Sequence, residues 1–182
     1  MELVRENISV AVVYDHSKQA VLMGMSNGDT QWSFAKGVVD LIDVGDSYTA
    51  RRALMEQFGM MFDAVAPMVY TFRSNKVHQT DIQHVLITGR KAYERKGATY
   101  YKDAWYYAHV FVFEFNKTAS SHILRSVKNT SYDKVRWVKL EDILKLRMHE
   151  DSIVIFNVFL RHLAEQDALS TEQVATLLGA RK

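Results

Sequence analysis

One stretch of the sequence, residues 32–60, strongly limits the possible folds because it joins a strand, an acidic loop and a helix. Trp32 and Phe34 predict the end of a short apolar strand, and Gly37 follows them. A helix is predicted over residues 48–58, since its apolar side chains recur every four positions. A loop, an acidic cluster and a helix in this order are typical of a site for a metal-bound phosphate group.

Both ends of this helix are marked by residue type. Asp46 or Ser47 can cap its first amide groups. Gly59 suits the left-handed conformation just beyond the last turn. The apolar stripe consists of Ala50, Leu54 and Phe58. The helix is therefore predicted to pack on a core along one face and to leave Arg52, Glu56 and Gln57 elsewhere on its surface.

The same stretch resembles the Nudix box, the signature of the Nudix hydrolase superfamily, which reads G-x5-E-x7-R-E-U-x-E-E-x-G-U with U aliphatic. The matching residues are Gly37, Ala50, Arg52, Leu54, Glu56, Gly59 and Met60. Asp43 stands where the pattern has its first glutamate. The lead-in over residues 32–37 resembles the W-x-F-P-K-G of members that cleave dinucleoside polyphosphates, diphosphoinositol phosphates or mRNA caps, with Ala35 in place of the proline.

Two departures from the pattern fall on its metal-binding glutamates. Ala53 replaces the glutamate after the arginine, and Gln57 replaces the second glutamate of the E-E pair. One extra residue also separates Asp43 from Arg52. The family pattern places three carboxylates on one helix face. In this sequence only that of Glu56 remains. Gln57 could also be an engineered change, since experimenters replace Glu with Gln to trap a substrate. Ala35 and the extra loop residue are unlikely to be engineered, so they favour natural divergence.

The resemblance implies a site for phosphoanhydride hydrolysis with Mg²⁺ or Mn²⁺. The catalytic residues that it implies are Glu56 and Arg52. The metal ligands that it implies are Glu56, Gln57, Asp43 and Asp46, and the substrate-binding residues are Lys36, Gly37, Trp32 and Phe34. Trp32 and Phe34 also fit core packing, and this alternative stays open. Candidates for a general base in the later half of the chain are Glu114, His149 and Glu150.

Two functions are compatible with this pattern. The first is a Nudix-type pyrophosphohydrolase with an impaired metal site, acting on a nucleoside-diphosphate-linked compound such as a dinucleoside polyphosphate, a nucleotide sugar or an RNA 5′ end. The second is a degenerate Nudix-fold module that binds nucleotide, RNA or a protein partner without turnover. RNA is considered because an aromatic cluster over residues 100–107 lies near Arg95, Lys96 and Lys102.

Composition limits the setting and the chemistry. The chain has 182 residues, no cysteine and a net charge of +2. Disulfides, thiolate metal sites and a cysteine nucleophile are excluded. The first apolar run, residues 8–14, is too short for a signal peptide, and no run approaches the about 18 apolar residues of a membrane span. We therefore expect a cytoplasmic protein with no membrane partner.

Strands, a central helix, further strands and then helices predict one α+β domain with a mixed sheet. The resemblance implies a Nudix-like α/β/α sandwich with added C-terminal helices, a single domain over residues 1–182 with its core at about 8–163. The predicted strands are 8–14, 20–25, 32–34, 61–72, 84–88, 105–115 and 135–138. Further helices are predicted at 120–127, from 140, at 151–168 and at 170–179, and a polar loop at 89–103.

Overall fold

A mixed sheet organises the part of the chain that the computed structural model describes, residues 4–59, 69–72, 75–115 and 131–179. Its strands are β1 (Val4–Asp15), β2 (Ala20–Ser26), β3 (Ala35–Val38), β4 (Val69–Phe72), β5 (Asn75–Arg95), β6 (Ala98–Phe115) and β7 (Tyr132–Lys139). The helices are α1 (Asp46–Phe58), α2 (Leu140–Ile143), α3 (Glu150–Glu165) and α4 (Thr171–Gly179). The predicted α+β class is confirmed.

Strand β1 lies at the centre of the sheet. The strand order is β4-β5-β6-β1-β2-β7, and β3 pairs with β1 off this path. One edge of β1 runs parallel to β6 along its whole length. The other edge is divided, because its middle pairs with β3, with Ile8 opposite Val38, and its end pairs with β2, with Tyr14 opposite Val21. The short strand β3 is thus fixed against the middle of the sheet, just before the loop that leads to α1.

Alternate residues of β1 enter two separate cores, because successive side chains of a strand point to opposite faces of the sheet. The core that contains α3 takes Ile8, Val10, Val12 and Tyr14 from β1. The core that contains α1 takes Ala11 and Val13 from β1. Helices therefore cover both faces of the sheet, and the predicted α/β/α sandwich is confirmed.

The prediction of a polar loop over residues 89–103 is wrong. The backbone continues as strand to Arg95 and resumes at Ala98. Only Lys96 and Gly97 form the turn, with φ of 53° and 75°, which is the conformation that a tight hairpin favours. Most of this hairpin end is exposed on both faces. It therefore lacks the apolar alternation by which a half-buried strand is recognised.

Helix α1 differs from its prediction at one end. Its N-cap residue is Gly45, and no side chain caps the first turn. The predicted cap by Asp46 or Ser47 is therefore wrong, because both residues lie inside the helix. Gly59 has a φ of 65° at the C-cap, so the left-handed end is confirmed. The predicted strand 32–34 begins later, at Ala35, and Trp32 and Ser33 form only isolated bridges.

The C-terminal elements agree with the sequence pattern. Ser170 and Gln173 form the expected capping box, with the Ser170 N–H donating to Gln173 Oε1 over 2.8 Å and the Gln173 N–H donating to Ser170 Oγ over 3.1 Å. The predicted helix 120–127 and most of the predicted strand 61–72 lie outside the described residues. None of the helices within the described ranges is long and apolar enough to cross a membrane.

Candidate functional site

A cavity of about 580 Å³ opens beside β3, between the middle of β5 and β6 and the start of α3. Its lining includes Lys36, Gly37, Thr88, Tyr106, His149 and Asp151. Two of the four predicted substrate-binding residues, Lys36 and Gly37, therefore line one cavity. Ile8 and Ile87 add an apolar part to the wall, so the cavity offers both polar and apolar surface to a ligand.

Two pairs of titratable side chains lie at the cavity. The Lys36 ammonium contacts the Asp151 carboxylate at the start of α3. Burial lowers the pKa of Lys36 to about 8, and the charge of the Asp29 carboxylate partly opposes that shift. The His149 ring shares a hydrogen bond of 2.7 Å with Asp29, and this contact lowers the pKa of the Asp29 carboxyl group. The cavity wall thus includes the Lys36 side chain from β3 and a histidine that is paired with a carboxylate.

The other two predicted substrate-binding residues do not line this cavity. The Phe34 ring is fully buried in the core that contains α3. Trp32 is half-buried, and the Arg136 guanidinium lies over its ring with Cζ 4.4 Å from the centroid. Of the two roles that the sequence left open for Phe34, core packing is therefore the one that the structure shows.

Helix α1 lies close to β3 because both residues at their contact are small. A Cβ added to Gly37 would lie 3.4 Å from Thr49 Cγ2 and 3.6 Å from Ala53 Cβ. Ala53 is fully buried among the apolar residues of α1 and the sheet. The position at which the family pattern has its first helical glutamate is therefore part of the core in this chain.

Arg52 joins α1 to the loop that precedes it. Its Nε and Nη2 donate to the two oxygens of Asp43 over 3.1 and 2.8 Å, and Nη2 also donates to the Val38 carbonyl over 2.9 Å. Asp43 additionally accepts from the Thr49 hydroxyl over 2.6 Å and from the Asp40 N–H over 2.9 Å. The Arg52 guanidinium holds the pKa of Asp43 well below its usual range. The Asp43 carboxylate is thus surrounded by donors from the chain itself.

Gln57 is occupied by the backbone of β3. Its Nε2 donates to the Lys36 carbonyl over 2.7 Å, and its Oε1 accepts from the Lys36 N–H over 3.0 Å. Both polar ends of the amide are therefore engaged.

The remaining acidic residues of the box, Glu56 and Asp46, have different partners. The Glu56 side chain is half-exposed, and its Oε1 lies 3.5 Å from Arg52 Nη1. Asp46 shares a hydrogen bond of 2.7 Å with the His109 ring on β6. Asp43 and Glu56 thus share the Arg52 guanidinium, whereas Asp46 pairs with His109.

The three general-base candidates fall in two places. His149 and Glu150 line the cavity. Glu114 lies eight residues along β6 from the cavity residue Tyr106, which is about 27 Å at the strand rise per residue. It contacts His16 instead, at 3.4 Å. Glu114 is therefore too distant to serve this cavity.

The geometry agrees with solved structures of one fold. The Nudix domain of Shewanella oneidensis NrtR complexed with ADP-ribose aligns with a TM-score of 0.57 and 15% identity over 90% of each chain. The fold is that of a Nudix domain. The E. coli dihydroneopterin triphosphate pyrophosphohydrolase aligns with a TM-score of 0.56 and 15% identity, over 87% of this chain and 99% of its own. The C. elegans Ap4A hydrolase aligns with a TM-score of 0.52 and 18% identity, over 90% of this chain and 100% of its own. No family model and no curated protein sequence matches the chain.

The side chains of this Nudix-fold chain do not fit the divalent cation that the box resemblance implies. Mg²⁺ prefers free carboxylate oxygens, but Asp43 and Gln57 already bind donors or backbone groups of the chain, and Ala53 has no ligating atom. No group of three or more His, Cys, Asp or Glu side chains in the described ranges is arranged to hold a metal ion. The Nudix fold is thus retained with a donor set that is unlike the family pattern.

Several cavity residues carry no signal in the sequence. Tyr106 lies among alternating aromatic residues whose orientation the pattern leaves open, and Asp151 reads as an ordinary acidic residue in a first helical turn. The contact between Asp151 and Lys36 joins residues 115 positions apart. Only the fold brings them together.

Proposed function

We propose that this chain is a single Nudix-fold domain over residues 1–182 that binds a nucleoside-diphosphate-linked compound with little or no turnover. The ligand class is a dinucleoside polyphosphate, a nucleotide sugar or an RNA 5′ end. One observation carries the proposal: the cavity beside Lys36 is open, whereas the box residues that would hold a cation bind the chain itself. The absence of cysteine supports a cytoplasmic setting.

The cavity supplies groups for both parts of such a ligand. The Lys36 ammonium can bind a phosphate oxygen, and the neighbouring Gly37 also lines the cavity. Tyr106 with Ile8 and Ile87 offers a flat and apolar wall for a base. The neighbour complexed with ADP-ribose supports a ligand of this class.

Metal-assisted phosphoanhydride hydrolysis, with Mg²⁺ or Mn²⁺ as the cofactor, is the second candidate. The observation that favours it is the half-exposed carboxylate of Glu56, which lies beside Arg52 at the position of a family glutamate. Under this alternative, turnover requires a divalent ion and is lost in Glu56→Gln.

Isothermal titration calorimetry of the full chain with ADP-ribose, a dinucleoside tetraphosphate and a capped RNA oligonucleotide tests the proposal. We expect micromolar binding of at least one of them in the presence of EDTA. Lys36→Met should weaken that binding by about 10- to 100-fold, because a charge-assisted hydrogen bond is lost. Lys145→Met is the matched control, since Lys145 pairs with Asp142 on the exposed surface and does not line the cavity.

The same ligands are then incubated with Mg²⁺ and Mn²⁺, and product formation is followed by chromatography. Binding without product supports the proposal. Metal-dependent turnover that Glu56→Gln abolishes would replace it with the second candidate. Failure of every ligand to bind, or equal binding by Lys36→Met and the wild type, would contradict it.

A further inference from the structure

The amide of Gln57 joins α1 to β3 through both of its polar ends. The Lys36 N–H donates to Oε1 over 3.0 Å, and Nε2 donates to the Lys36 carbonyl over 2.7 Å. These two bonds satisfy the backbone N–H and the backbone carbonyl of Lys36. Without them, both groups would lose these hydrogen-bond partners. They connect residues 21 positions apart, across the junction that carries the box resemblance.

A glutamate cannot make the same pair of bonds. Its two oxygens are both acceptors when ionised, so one could accept from the Lys36 N–H while the other would face the Lys36 carbonyl oxygen. Two oxygens at the 2.7 Å observed for Gln57 require a proton or a cation between them. The amide carries its own donor and requires neither.

We infer that Gln57 holds the strand–helix junction in place of a divalent cation, so that the junction is formed without metal. The neighbouring contacts support this, because Arg52 binds both oxygens of Asp43 and Ala53 fills core space. Gln57 is therefore a positioning residue. The inference goes beyond the proposed function, since it concerns the free protein and holds whether or not a nucleotide binds.

Thermal unfolding of the nucleotide-free protein, in EDTA and in millimolar Mg²⁺ or Mn²⁺, tests this inference. The melting temperature of the wild type should be the same in all three to within about 1 °C. That of Gln57→Glu should fall by roughly 4–8 °C in EDTA, as expected for an unsatisfied carbonyl and a repelled carboxylate. It should rise again with Mg²⁺ or Mn²⁺, and also at acidic pH, where the new carboxyl group regains a proton.

Two further variants separate this chemistry from a general loss of packing. Gln57→Met removes the amide at similar volume and should lower the melting temperature without any response to cations. Glu56→Gln, one residue away on the same helix and half-exposed, should leave it unchanged. A wild type that Mg²⁺ stabilises by several degrees, or a Gln57→Glu protein as stable as the wild type in EDTA, would overturn the inference. If Gln57→Glu folds only with Mn²⁺, that outcome supports it.

Discussion

Arg52 and Asp43 form an ion pair with two parallel hydrogen bonds, of 2.8 and 3.1 Å, between helix α1 and the loop before it. The Asp43 side chain is completely buried, although it lies in a loop with exposed neighbours. The same guanidinium reaches the carbonyl of Val38 at the end of β3. One arginine thus fixes the position of a strand end, a loop and a helix relative to each other.

Arg52→Lys should destabilise the fold by about 2 kcal/mol, although the charge is kept. A lysine ammonium cannot bind both oxygens of Asp43 and the Val38 carbonyl in the same planar geometry. Urea unfolding followed by circular dichroism measures the difference. Arg161→Lys, on the exposed surface of α3, is the control and should change the free energy of unfolding by less than about 0.5 kcal/mol. Equal stability of Arg52→Lys and the wild type would show that the parallel geometry has no energetic role.

The stability that Asp43 contributes should depend on pH in a defined direction. Arg52 holds the pKa of folded Asp43 far below the value of about 3.9 in an unfolded chain. The folded state therefore binds fewer protons, so the contribution is complete above about pH 4 and is lost as the pH falls further. Urea unfolding at neutral pH should show a large deficit for Asp43→Asn relative to the wild type. This deficit should shrink at about pH 3, and a deficit that is constant with pH would contradict the assignment.

Gly24→Ala should be strongly destabilising, because β2 and β7 leave no space for a side chain there. A Cβ on Gly24 would lie 2.1 Å from a ring carbon of Tyr132. That ring is buried, and its hydroxyl donates to the Phe34 carbonyl over 3.1 Å. We expect a loss of about 1–3 kcal/mol, typical of overpacking, in thermal or urea unfolding. Gly179→Ala, with open space around its Cβ, should be neutral, and equal effects of both substitutions would refute the steric explanation.

Much of the fold follows from local sequence because its elements have strong patterns. Helix α1 has an apolar stripe and a terminal glycine, and Gly59 takes the left-handed conformation that its residue type favours. The capping box of Ser170 and Gln173 is likewise a local pattern. The hairpin over residues 89–103 is different, because its two strands pair with each other and most of their side chains are exposed on both faces. No apolar face marks it in the sequence.

The site is less predictable than the fold, because its contacts are long-range and often use the backbone. The sequence predicts Gln57 to be an uncharged metal ligand, yet its partner is the backbone of Lys36. Every residue type has these backbone groups, so the sequence does not indicate this contact. Asp43 matches a family glutamate by position, yet its partners are mostly residues of the same loop and helix. The residue types in the box indicate the fold. What each side chain binds depends on the distance between α1 and β3, which single residue types do not specify.

Ala53→Glu, which restores the family residue, should destabilise this chain rather than repair a metal site. Ala53 is fully buried, and a Cβ on Gly37 would lie 3.6 Å from its Cβ. A carboxylate there would be buried without a partner, at a cost of at least about 2–4 kcal/mol. The free energy of unfolding, measured with urea in EDTA and in Mg²⁺, gives the result, and we expect the loss to persist in Mg²⁺. Met55→Glu, at a half-exposed position of the same helix, is the control and should be nearly neutral. If Mg²⁺ returned Ala53→Glu to wild-type stability, the helix would be able to hold the cation after all, and position 53 would be a vacant ligand position instead of a core position.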